Sequence, residues 1–131
     1  MSYAVYVVRF DHGEPVGLSA DAFAEVFGPH MTETQSQFQF HRVVAPDGGD
    51  AEIYADLDPP FDSLSFGRFS PGDVCELLVR FAHRCDTPIL LPEDIAVLTN
   101  PDQAQHLPAE LRHSVRLAAD GGDLLTAIGE A

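Results

Sequence analysis

The sequence predicts an α/β fold of the mixed α+β kind: one mixed, largely antiparallel sheet of about five to seven strands with two or three helices packed on it. Three observations carry this expectation. Tyr3 to Phe10 is a short run of β-branched and aromatic residues, apolar on both parities, as in a central strand covered on both faces. Pro46-Asp47-Gly48-Gly49-Asp50 is a hairpin signal between two alternating segments. An amphipathic helical pattern follows Ser70-Pro71-Gly72-Asp73. The predicted order is β-α-β-β-β-α-β, a further short strand, then α-β-α, all within one globular domain spanning residues 1–131.

Each element has a local reason. Asp11 to Pro15 reads as the turn after the first strand. Ser19 is placed to cap a helix ending at Gly28-Pro29, with Ala22, Phe23, Val26 and Phe27 as its apolar stripe. Phe38 to Ala45 and Ala51 to Leu57 alternate as the arms of the hairpin, the second with Ala51, Ile53, Ala55 and Leu57 on one face. Asp58-Pro59-Pro60 breaks the chain before a strand at Ser63 to Phe69. In the next helix Ser70 is the predicted cap, Pro71 the first helical residue and Asp73 the third. Val74, Leu78, Phe81, Ala82 and Cys85 fall on its buried side, with Glu76 and Arg80 spaced as an i,i+4 pair on the other. Strands at Thr87 to Leu91, Ile95 to Leu98 and Ser114 to Ala118, short turns after Asn100 and Leu107, and a helix over Asp120 to Ala131 complete the reading.

Composition narrows the function. The chain carries 21 acidic residues, seven arginines and no lysine, a formal charge of −14. Absence of lysine removes Schiff-base enzymes, pyridoxal-phosphate anchors, P-loop nucleotide binding and serine–lysine hydrolysis. No G-x-S-x-G, G-x-G-x-x-G, H-E-x-x-H or C-x-x-C motif occurs, so neither a zinc site nor any other metal or cofactor is expected. An acidic surface disfavours nucleic acid, and no run is long enough for a membrane helix. Only Cys75 and Cys85 are present, and on one helix they stand roughly 15 Å apart, too far to bridge. With no export-like N-terminal segment, the expected compartment is the cytoplasm.

Three groups of residues bear weighing. Arg9, Arg42 and Arg68 each end or interrupt an apolar strand face, and together would make a ligand site for an anion or carboxylate; the ordinary alternative is that each pairs with one of the many acids. Asp11 and His12, with His41, are the available catalytic groups, an imidazole oriented by a carboxylate. Neighbours on a strand point to opposite faces, however, so direct contact between Asp11 and His12 is not expected. Asp47, Asp50, Glu52, Asp56, Asp58 and Asp62 form an acidic stretch with no cation between Arg42 and Arg68. It lacks the glycine and glutamate of an EF-hand loop and reads as a solvated hairpin face, with weak divalent-cation binding or a docking surface for a basic partner as the alternatives. Both cysteines border the apolar side of their helix and are expected to be packed, not reactive.

The sum favours a small, acidic, non-enzymatic binding protein that docks on a basic protein, an inhibitor- or immunity-like role. The alternative is a small-molecule or anion-binding protein, or a hydrolytic enzyme, built on an arginine-lined sheet pocket. A homodimer is the third reading.

Overall fold

The computed structural model describes residues 4–58 and 60–130, so Tyr3, Pro59 and Ala131 of the predicted elements lie outside it. Nine strands form one sheet: β1 (Ala4–Asp11), β2 (Glu14–Val16), β3 (Met31–Gln35), β4 (Phe40–Val44), β5 (Asp50–Ala55), β6 (Ser63–Gly67), β7 (Ile89–Leu91), β8 (Ile95–Leu98) and β9 (Val115–Leu117). Their order is β3-β4-β5-β6-β1-β7-β8-β9, with β2 paired to β1. Every pairing is antiparallel except β8 with β9. The mixed, largely antiparallel α/β architecture is therefore as predicted, with more strands than expected. The two additions are β2, three residues including a proline, and β3, an exposed polar edge strand without the alternation that marks a half-buried one.

Three helices, α1 (Ala20–Phe27), α2 (Asp73–Cys85) and α3 (Gly121–Glu130), cover one face of the sheet. Odd-numbered β1 residues Val5 and Val7 point into that layer, joined by Val43, Ile53, Leu64, Phe66 and Ile89. Phe23 and Phe27 of α1 and Phe81 of α2 fill the space between, in an aromatic cluster with Phe61 and Phe66. Ser19 caps α1 as expected, accepting from Ala22 N at 3.1 Å, and Ala22, Phe23, Val26 and Phe27 are its buried residues.

The opposite face is divided. Over β7, β8 and β9 it is closed by residues 101–111, a run of 3-10 turns whose Leu107 and Leu111 pack on Ala96 and Leu98 with Phe10 and Leu90 beside them. Over β4, β5, β6 and β1 no helix lies on it among the described residues. The expectation that β1 is covered on both faces is corrected here: Tyr6 is 51% exposed.

The start of α2 also differs from its sequence pattern. Its cap position is Gly72, at φ 112°, with no side-chain cap from Gly72 itself. Ser70 is instead engaged with Asp50, and the Asp73 N–H donates to Oδ2 of Asp47, a hairpin residue 26 positions earlier. Glu76 does not complete its helix face with Arg80; its Oε2 accepts from Gly121 N at 2.6 Å and so ties α3 to α2.

Cys75 and Cys85 are both free and buried. Burial pushes the Cys75 thiol up from 9.0 to about 11, and burial raises Cys85 as well. Neither thiol is expected to react with Ellman's reagent at pH 8 in the folded protein, whereas both react in denaturant. Prompt native labelling of either would contradict the packing. Because unfolded thiols ionise near 9.0 and folded Cys75 near 11, the stability present below the first value declines as pH rises through that window.

Candidate functional site

The three arginines are not brought together. Arg42 sits opposite both Glu33 and Glu52 across the strands, and it reaches Asp50 at 2.7 Å and Glu52 at 3.7 Å. Arg68 approaches the same Glu52 carboxylate at 3.6 Å. Glu52, its side chain only 11% exposed, is thus flanked by two guanidinium groups. Arg9 lies elsewhere. Arg68 follows Gly67, which pairs with Ala4, and Arg9 is five residues further along β1, about 17 Å at strand rise. Arg9 lines a cavity of about 150 Å³ with Asp11, Asp86, Gln103 and His106. Its Nε is buried without a hydrogen-bond partner.

The acidic stretch is likewise split by its internal uses. Asp47 accepts from Gly49 N at 2.9 Å and from Asp73 N at 3.1 Å, and these backbone bonds hold its carboxyl below the ordinary range. Since the folded value is the lower one, what Asp47 adds to stability is present above the usual carboxylate range and lost on acidification. Asp50 is bound by Arg42 and Ser70, and Glu52 by two arginines. Asp56 accepts from Asp58 N in a local turn; Asp56, Asp58 and Asp62 remain exposed.

His41 is buried at 5%, its Nε2 against the Ala55 carbonyl at 3.3 Å and its Nδ1 against the Thr34 hydroxyl at 3.2 Å. A carbonyl only accepts, so Nε2 donates to Ala55, while the Thr34 hydroxyl beside Nδ1 also lies within reach of Met31 Sδ at 3.0 Å. The nitrogens tie β4 to its neighbours β5 and β3, while the ring meets Phe23 of α1 edge-on.

Asp11 and His12 do touch, contrary to expectation: Asp11 Oδ1 is 2.6 Å from His12 Nδ1. His12 has φ 51° and Gly13 φ 86°, the positive pair demanded by a two-residue hairpin between Asp11 and Glu14. His12 has left the strand, and the alternation rule with it. A third group, which no sequence motif links to them, joins them. His106 Nδ1 lies 3.3 Å from Asp11 Oδ1, and its ring stands edge-on to His12 with centroids 4.8 Å apart. Backbone bonds hold it there: Gly13 N donates to the His106 carbonyl at 2.8 Å, and His12 N to His106 Nδ1 at 3.2 Å. Behind it, Arg112 Nε donates to the Leu107 carbonyl, and buried Gln103 bonds Thr99 and Asp86. No local signal marks His106, because it is 94 residues from His12. The described lining of the cavity carries no hydroxyl or thiol; its carboxylates are Asp11 and Asp86 and its imidazole is His106.

The uncovered sheet face is the second feature. Phe40, Tyr54, Ser65 and Tyr6 lie in one cross-strand row, each directly opposite the next. Tyr54 is 46% exposed, and Phe38, at the edge of the row, is 62% exposed. Gln35, Phe38, Phe40 and Tyr54 frame a shallow depression there.

Fold and site together define an antiparallel-rich mixed sheet with helices on one face, an open aromatic row on the other and an Asp–His–His cluster at a hairpin tip. No family model matches this chain, and no curated protein or solved structure matches it either. Among the described residues, no helix is long and apolar enough to cross a membrane.

Proposed function

We propose that this chain is a non-enzymatic binding protein whose open sheet face docks on a basic protein, an inhibitor- or immunity-like role exercised in the cytosol. The observation that supports it is the aromatic row Phe40–Tyr54–Tyr6, with Tyr54 and Tyr6 exposed and Phe40 half-buried, on a stretch of sheet covered by neither the helices nor the 101–111 segment among the described residues. Tyrosine and phenylalanine supply large contact area at small entropic cost and dominate binding energy when desolvated. Charge selects the partner. A surface of −14 with exposed Glu33, Asp56 and Asp58 near the row draws in a cationic protein, and it repels a second copy of itself.

The test is capture from a native lysate, followed by titration of the captured protein. Tyr6→Ser with Tyr54→Ser is expected to weaken binding at least about tenfold. These exposed positions should cost the fold no more than about 1 kcal/mol. Affinity should also fall as salt rises from 0.05 to 0.5 M, values chosen to span strong and weak screening at roughly 14 to 4 Å. A partner held equally well by the double variant, or with no salt dependence, would overturn the reading. A stable dimer dissociated by the same substitutions would replace the basic partner with a second copy.

A further inference from the structure

We infer that Asp11, His12 and His106 form a binding site for a first-row divalent transition-metal ion of the zinc class. This goes beyond the docking role and does not depend on it. Among the described residues these three are the group whose donor atoms converge, one from each lying within 4.8 Å of the others. A metal bound tetrahedrally at roughly 2.0–2.2 Å holds its nitrogen and oxygen donors about 3.3–3.6 Å apart. The separation of Asp11 Oδ1 and His106 Nδ1, 3.3 Å, already has that value. The His12 Nδ1 contact, at 2.6 Å, is a hydrogen bond that opens slightly when an ion replaces its proton.

Proton accounting points the same way. His106 Nδ1 accepts the His12 backbone N–H, so it carries a lone pair. The same nitrogen stands 3.3 Å from a carboxylate oxygen, which it can bond only by carrying a proton. Protonating Nδ1 would satisfy Asp11 but set two N–H groups against each other. A cation relieves the repulsion by drawing on the lone pairs of both imidazoles and the carboxylate. The His12 amide, in an exposed turn, then takes water.

The donor set selects the ion class. Two imidazoles and one carboxylate suit zinc, cobalt, nickel or copper, whereas magnesium and calcium prefer oxygen donors throughout. The His12 and Asp11 side chains are 80% and 57% exposed, so water fills the remaining coordination positions. Arg9 lines the adjoining cavity, and Asp86 in the same lining offsets its charge. Two segments distant in sequence supply the donors, and a bound ion would staple the β1–β2 hairpin to residues 101–111.

The test is calorimetric titration of tag-free protein with zinc and, separately, cobalt. One ion per chain is expected, with a rise in melting temperature. His106→Ala and Asp11→Asn should each weaken binding at least about tenfold, and His113→Ala should leave it unchanged. His12→Ala, at a largely exposed side chain, should weaken binding as well, and its melting temperature without zinc checks that the turn tolerates alanine at φ 51°. Imidazole NMR resonances of the unmutated protein give an independent readout, with His12 and His106 shifting on addition of zinc. Binding that survives His106→Ala and His12→Ala undiminished, zinc-induced shifts confined to His30, His83 or His113, or no binding by the unmutated chain would each overturn the inference.

Discussion

Phe23→Ala is expected to destabilise the protein by about 3–5 kcal/mol, the range for removing a fully packed aromatic ring. Phe23 is 1% exposed and is the hub of the core. Its ring lies 5.2 Å from Phe27, 5.7 Å from His41, 6.0 Å from Phe61 and 6.0 Å from Phe81, centroid to centroid. Those partners come from α1, β4, the loop before β6 and α2, so the cavity left behind cannot close by moving one element. Against a total stability of roughly 5–15 kcal/mol, such a loss brings the domain close to unfolding. Urea denaturation measures it as a lowered midpoint with an unchanged slope. A cost below about 1 kcal/mol would mean that α1 is not seated on the sheet as described.

Gly121→Ala is expected to destabilise by about 1–3 kcal/mol, the cost of overpacking, even though alanine is the better helix former. A Cβ at this position would come within 2.6 Å of Glu76 N and 3.0 Å of Cys75 C and Glu76 Cα. All three are backbone atoms of α2 and cannot swing aside as a side chain would. The close approach also lets Gly121 N donate to Glu76 Oε2. Gly129→Ala is the internal control. It lies in the same helix with nothing within 4 Å of its would-be Cβ, and should stabilise by about 0.5–1 kcal/mol. Thermal melts of the two variants should therefore move in opposite directions. If both rise, α3 does not pack against α2 at its first turn.

Much of the fold was legible from periodicity. The buried stripes of α1 and α2, the hairpin at Asp47 to Gly49, the inward face of β5 and the burial of both cysteines follow from spacing and turn chemistry. Legibility failed where a residue's partner lies far along the chain. Asp47 looked like a solvated hairpin acid, yet it caps α2; Ser70 looked like that cap, yet it binds Asp50. Arg42 and Arg68 meet at Glu52 because β4, β5 and β6 are neighbours, whereas Arg9 belongs to the other end of β1.

By itself the sequence determined which residues are apolar on which side of each element, because that pattern is set by the 3.6- and two-residue periods of helix and strand. It also excluded lysine-dependent chemistry outright. Which sheet face the helices would cover came from the tertiary structure alone, which leaves Tyr6 and Tyr54 exposed in a row with half-buried Phe40. It alone carried His106 across 94 residues to Asp11 and His12. The reason is physical: alternation along a strand defines two faces but not their coverings, and contact between distant segments depends on strand order, which no local period encodes.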